Sequence, residues 1–505
     1  MQDLCVPNRS SNAARRRMPT VCAVSAVALL SAAPAAHAIP VIDVIPNAAS
    51  AETGQNSEPS LAVDPLNPNL MVAGTFTSRT LSGPFWESTN GGSIWTSFGS
   101  LANSDKSLAW RQDGVAPLAV TLNVISNRPL VDNISSFQGG ATNFGSAVFT
   151  TPNGALDQPW IRTGPSGQTY VALNNLGNAR GRSAQMGVGS TNAAGPFTSV
   201  TLETVNPAGG QDAPSVRQAV NGTTVYAAFT RWGAASSTTG GFIFPGSQVV
   251  VVKSTNSGGA FSSGVTAAST TGYFSTTDNT PLTLGQERTG SDLVIAVDPN
   301  NANRVLVAHG DRSGAGLLQL HVTESTDGGT TWTSKFTTSS SVRSALPAIT
   351  ILANGDIGLL YASYEPVANS LTQHLVTTTN DFATTTDTLL GTESNTFPIL
   401  NFDPYVGDFY DLTSSGDTLY GIFSASNDDN GTLGLFPSVS FQRCFTGTPG
   451  TGSFALCDNL GNVVPFSIDP FVFSLNLAAV PEPTSLTLLG ASLLGFATLR
   501  RRRTQ

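Results

Sequence analysis

Lysine is nearly missing from this chain. Three lysines, four histidines, four cysteines and four methionines serve 505 residues, and only 11% of side chains are charged. Disordered chains combine low hydrophobicity with high charge. With 40% hydrophobic residues and so few charges, this one is built to fold. Three catalytic signatures are also missing: no phosphate-binding loop, no H-E-x-x-H and no G-x-S-x-G is present, and no histidine is paired by spacing with a nucleophile. Abundant instead are 50 glycines, 30 prolines and many serines and threonines, the composition of many short strands joined by turns. Away from its ends the chain sets 16 basic residues against 31 acidic ones, a net charge of about −15. That balance argues against nucleic acid and anionic membranes as partners.

The ends read as addresses. Arg15, Arg16 and Arg17 precede the apolar run VCAVSAVALLSAAPAA and a small-x-small site, Ala36-His37-Ala38. This pattern predicts a secretory signal over 1–38 that engages the Sec machinery. Cys5 and Cys22 leave with it, so Cys444 and Cys457 remain as one expected disulfide, whose loop of about 14 residues contributes roughly 3 kcal/mol. His309, His321 and His374 show no ligand spacing with these cysteines, so no metal site is assigned. NDDNG at 427–431 is half of a calcium loop, and Ca²⁺ is the one cofactor the sequence admits.

The other end, VPEPTSLTLLGASLLGFATLRRRR, resembles the PEP-CTERM sorting signal: Pro481-Glu482-Pro483, one hydrophobic helix, then a basic tail. The resemblance implies export in a Gram-negative bacterium, recognition by an exosortase, a transmembrane anchor over 479–505 before processing, and work beside exopolysaccharide in the cell envelope or extracellular matrix.

Two elements repeat between the ends. The first is complete at Ser325-Thr-Asp327-Gly-Gly329-Thr-Thr-Trp332 and recurs as Ser88-Thr-Asn90-Gly-Gly92-Ser-Ile-Trp95, as STNSGGAF at 254–261, loosely as STNAAGPF at 190–197, and degraded as TTNDF at 378–382. An Asp or Asn that accepts turn N–H groups, a glycine free to take positive φ, and a returning aromatic plug make this a hairpin staple. It resembles the Asp-box, or BNR repeat, of sialidase-like propellers, where it joins the outer strands of a blade away from the substrate face. The second element is an apolar run, a polar turn and another apolar run, hence a β-hairpin. It starts near Glu58, Asp157, Asp212, Ser291, Leu346 and Gly407. Inner hairpin plus stapled outer hairpin makes a four-stranded antiparallel blade. The expected fold is therefore an all-β, six-bladed β-propeller over 39–478, with residues of about 100–150 inserted. A seventh blade hidden in that insertion is the alternative. VIDVI at 41–45 and FVFSL at 470–474 are expected to clasp the ring.

Carboxylates stand where the chain enters the inner strands: Glu58, Asp157, Asp212, Asp292 and Asp408. Arginines follow the second strands: Arg79, Arg231 and Arg312. These fit a face that binds an acidic glycan, because a guanidinium holds a carboxylate bidentately. The structural alternative is turn caps and inter-blade ion pairs. Sialidases use an arginine triad, a Tyr–Glu pair and an Asp acid. The resemblance implies Arg79, Arg231 and Arg312 for the first, Glu365 or Glu287 with Tyr405 or Tyr364 for the second, and Asp113 or Asp105 for the third. The family's Arg-Ile-Pro motif is absent. Three functions follow from this reading: an exported glycan-binding propeller, an exo-glycoside hydrolase acting on an acidic sugar, or a purely structural surface protein.

Overall fold

The computed structural model describes residues 39–77, 82–102, 106–123, 131–136, 145–149, 156–175, 183–189, 196–203, 216–238, 241–275, 293–312, 318–365, 367–368, 370–394, 406–428, 439–448 and 453–479. These residues form strands and two short 3-10 turns. None of their helices is long and apolar enough to cross a membrane, and the expected C-terminal helix lies outside them.

Seven antiparallel sheets of four or five strands follow one another along the chain. Their first strands are Asn56–Val63, Lys106–Trp110, Leu156–Thr163, Arg217–Asn221, Leu293–Asp298, Arg343–Ile351 and Asp411–Ser415. Each packs beside the next, and the last meets the first, so the sheets close into a propeller. They are called blades 1 to 7 in that order. The six hairpin repeats begin blades 1, 3, 4, 5, 6 and 7. Blade 2 occupies the stretch read as an insertion, so the sheet count is that of the seven-bladed alternative.

Blade 7 is assembled from both ends. Ile468–Asn476 pairs with Thr418–Ser426 on one side and with Val41–Asp43 on the other, in the register Val41 to Phe473 and Asp43 to Phe471. Arg443 fixes this closure. Its guanidinium is fully buried, donates to Asp469 Oδ2 at 2.9 Å and to Ser50 O at 2.7 Å, and also reaches Glu52 O. The next residue forms the Cys444–Cys457 disulfide.

Blade interfaces are apolar. Alternate side chains of each strand face opposite neighbours: Trp160 packs toward blade 4 with Val225, Ala227 and Val250, while Ile161 packs toward blade 2 with Leu118 and Val120. Outer strands are joined by stapled turns. In the turn at 325–332, Gly329 N–H donates to Ser325 Oγ at 2.8 Å, Ser325 donates to Asp327 at 2.8 Å, and Thr331 N–H donates to Asp327 at 2.9 Å. Hydrogen bonds from the Thr331 hydroxyl, the Thr331 N–H and the Ser325 hydroxyl hold the Asp327 carboxyl well below its usual range. Asn90 and Asn256 accept the same bonds through an amide oxygen, so the turn tolerates Asn for Asp. Even the degraded copy keeps the pattern: Phe382 N–H donates to Thr378 and Thr384 N–H to Asn380. Trp95 and Trp332 return their indole N–H to Gly92 and Gly329.

Candidate functional site at the centre of the ring

Inner strands begin with a recurring irregularity. Glu58, Gln158 and Leu346 each precede a proline, have positive φ (51°, 48° and 59°) and mark a register shift in their ladder. A bulge there spends one extra residue and re-aims the strand start toward the axis. Blade 7 uses Gly407 instead, at φ 101°. A Cβ on Gly407 would stand 2.3 Å from the backbone nitrogen of Glu58, so only glycine lets blades 7 and 1 approach this closely.

These starts deliver a layer of side chains into the channel. Trp160 of blade 3 meets Phe409, which leads into blade 7, edge-on at 5.0 Å. The Arg217 guanidinium of blade 4 stands 4.2 Å from the Trp160 ring and 5.5 Å from Phe409. Gln158 donates to Asp408 Oδ2 at 3.1 Å. Blades 3 and 7 are not neighbours, so these contacts span the axis. All five residues are at most 5% exposed, and the channel is plugged at this level.

Beyond the plug, toward the stapled turns, a cavity of about 470 Å³ draws its wall from all seven inner strands. Its charged pair is Arg162 and Asp411, again from blades 3 and 7, at 3.4 Å. Asp411 is buried and already accepts from Ser60 Oγ at 2.9 Å and Leu61 N–H at 3.2 Å. Arg162 is different: it donates to Ile161 O at 2.9 Å, meets Asp411 through one long contact, and keeps 27% of its side chain exposed. Gln112, Asn221, Thr413 and Trp110 complete the polar and aromatic wall.

Of the residues the sequence reading favoured, Arg231, Arg312 and Glu365 stand at the ends of second strands, on the face opposite the stapled turns. Arg231 donates to both oxygens of Glu203, closest at 2.7 Å, and to Gln248 at 3.0 Å. Glu203 belongs to blade 3, so this is an inter-blade clamp with three of its donor nitrogens engaged. Arg312 ends the strand Asn301–Arg312 half-buried. Glu365 accepts from Val367 N–H at 3.0 Å, capping its own turn. Tyr364 is fully buried under Arg343. Asp113 pairs with Arg111 in the first-to-second-strand turn of blade 2, on the stapled-turn face. Glu58 and Asp408 are both buried rather than offered to solvent. Asp157 pairs with Asn174 through its backbone, and its side chain is outside the described set. Arg79, Asp105, Asp212, Glu287, Asp292, Tyr405 and the NDDNG segment from Asp429 on also lie outside the described residues, as do Pro481, Glu482 and Pro483. Among the described residues no group of three or more His, Cys, Asp or Glu is placed to hold a metal ion.

The sequence reading passed over Arg162 and Phe409. The usable signal was Trp160-x-Arg162 in an inner strand, since alternate residues share one side.

Residues 479–503 match the PEP-CTERM protein-sorting motif. The motif marks an exported protein sorted at the cell envelope and gives it exosortase as a partner. No curated protein matches the chain. Similar solved structures include the BP39L lectin of Burkholderia pseudomallei, at 10% identity and TM-score 0.44, covering 73% of this chain and 93% of that one. An alpha-L-arabinanase of Penicillium chrysogenum complexed with arabinobiose matches at 10% identity and TM-score 0.41, covering 88% and 99%. A neuraminidase-like protein from A/bat/Guatemala/164/2009 matches at 10% identity and TM-score 0.40, covering 62% and 84%.

Proposed function

We propose that this exported propeller binds an acidic glycan, such as an exopolysaccharide of the envelope or matrix, at the mouth of its central cavity. The observation that carries this reading is the incompletely engaged Arg162 guanidinium in a cavity of about 470 Å³, a volume within the usual range for small-ligand sites. Asn221, Gln112 and Thr413 supply the amide and hydroxyl groups that sugar hydroxyls need, and Trp110 an apolar surface. Arg162 and Asp411 are the charged residues of the cavity lining, and the guanidinium is the group there that can hold a sugar carboxylate.

Hydrolysis is less well supported at this site. A glycosidase ordinarily needs two carboxyl groups flanking the bond. Among the described residues the cavity wall offers one, Asp411, and that one is held by Ser60, Leu61 and Arg162.

The test is calorimetric titration of the mature protein with an anionic polysaccharide, compared with a neutral one. Arg162→Ala should weaken binding about tenfold or more, as the loss of a charge-assisted hydrogen bond of about 1.5–3 kcal/mol requires. Arg231→Ala, on the other face, should leave affinity unchanged. Equal binding by wild type and Arg162→Ala would remove the site. No binding of either polysaccharide would leave the structural-protein reading.

A further inference from the structure

Blade 6 brings together three polar side chains that no sequence spacing connects. Ser363 is on the strand Ile357–Glu365, His374 on Ser370–Thr378 and Asp387 on Thr386–Ser394. Register sets Tyr361 opposite His374 and Ser363 opposite Thr372, so Ser363 is a diagonal neighbour of the imidazole. Asp387 pairs with Val376 while His374 pairs with Leu389, which puts the carboxylate diagonal to the ring on the other side. The distances complete a chain: Ser363 Oγ to His374 Nε2 is 2.8 Å, and His374 Nδ1 to the two Asp387 oxygens is 3.1 and 3.0 Å.

The proton positions follow from the partners. An ionised carboxylate only accepts, so Nδ1 carries a hydrogen and donates to Asp387. In the neutral ring Nε2 then holds a bare lone pair facing the Ser363 hydroxyl, which donates to it. Tyr361 lies flat on the imidazole at 4.7 Å with planes 4° apart, fixing its orientation. Nucleophile, base and orienting group within hydrogen-bond reach are the mark of an activated serine.

We propose that Ser363, His374 and Asp387 form an acyl-transfer relay acting on carboxylic esters. This inference is independent of the central cavity. Ser363 Oγ bonds to the ester carbonyl carbon as its proton passes to His374 Nε2. The alcohol leaves with that proton. Water then attacks the acyl-serine, gives a proton to Nε2, and the carboxylic acid departs as Ser363 recovers its hydrogen. Asp387 is a positioning residue: it holds Nδ1–H and takes no proton itself. Ser363 is only 6% exposed, so the acyl group it accepts is small, of acetyl size.

The experiment is labelling of the mature chain with a small fluorophosphonate, read by intact mass and peptide mapping, with p-nitrophenyl acetate turnover alongside. The expected result is one adduct, at Ser363, absent in Ser363→Ala. His374→Gln and Asp387→Asn should label more slowly by about a hundredfold or more, and Asp387→Glu should recover part of the rate. Asp387 has a side chain 44% exposed, so Asp387→Asn should keep its thermal midpoint, and it decides the matter if Ser363→Ala fails to fold. Absence of an adduct at Ser363, or equal labelling of wild type and Asp387→Asn, overturns the proposal.

Discussion

Glu393 ties the stability of the ring to pH. The residue is fully buried near the end of Thr386–Ser394, where blade 6 meets blade 7. Its oxygens accept from Gln373 Nε2 at 3.1 Å and from the Ser426 N–H. Burial pushes its carboxyl up from 4.5 to about 8, against the opposing pull of those two hydrogen bonds. The native protein therefore keeps a proton that the unfolded chain releases near pH 4.5. Stability from this group is complete below about pH 4.5 and is lost as pH rises through about 8. Each unit of separation is worth about 1.4 kcal/mol, so the full gap amounts to roughly 5 kcal/mol. Glu393→Gln is neutral at every pH and removes the dependence. Urea unfolding of both proteins at pH 5 and pH 8.5 should show wild type losing several kcal/mol more than the variant over that interval. Glu52, raised to about 7 by burial and then by the Asp469 charge, acts in the same direction in both proteins and cancels in the comparison. Equal losses in the two, or a wild type that gains stability from pH 5 to 8.5, would refute the reasoning.

Two further perturbations address closure. Arg443→Ala strips the cation from buried Asp469 and from the Ser50 and Glu52 carbonyls; chemical denaturation should show a loss of about 3–5 kcal/mol, the usual cost of breaking a buried pair. Gly407→Ala introduces a Cβ against the Glu58 backbone at positive φ; the same assay should read a loss of at least about 2 kcal/mol, with Gly416→Ala, open within 4 Å though also at positive φ, the milder control.

Much of the ring was legible because its modules announce themselves in one dimension. The six inner hairpins, their turns, and the pairing of 41–45 with 470–474 all follow from alternating apolar residues broken by turn formers. Blade 2 was hidden although Asp113-Gly114 turns its first hairpin, because its outer strands lack the Ser-x-Asp/Asn staple that marks other blades. The candidate site was less legible for a different reason. Arg231 looks free in sequence, yet Glu203 of the adjoining blade neutralises it. Arg162 looks like any strand residue, yet it faces Asp411 across the axis. Contacts between non-adjacent blades, and diagonal pairs such as Ser363 with His374, are set by ring closure and register rather than by spacing.

The most direct measurement is a crystal structure of the mature protein with an acidic oligosaccharide. The account predicts a sugar carboxylate against the Arg162 guanidinium, inside the cavity at the stapled-turn end of the channel. A sugar bound only beside Arg231 on the opposite face, or a cavity left without sugar at saturating ligand, would contradict it.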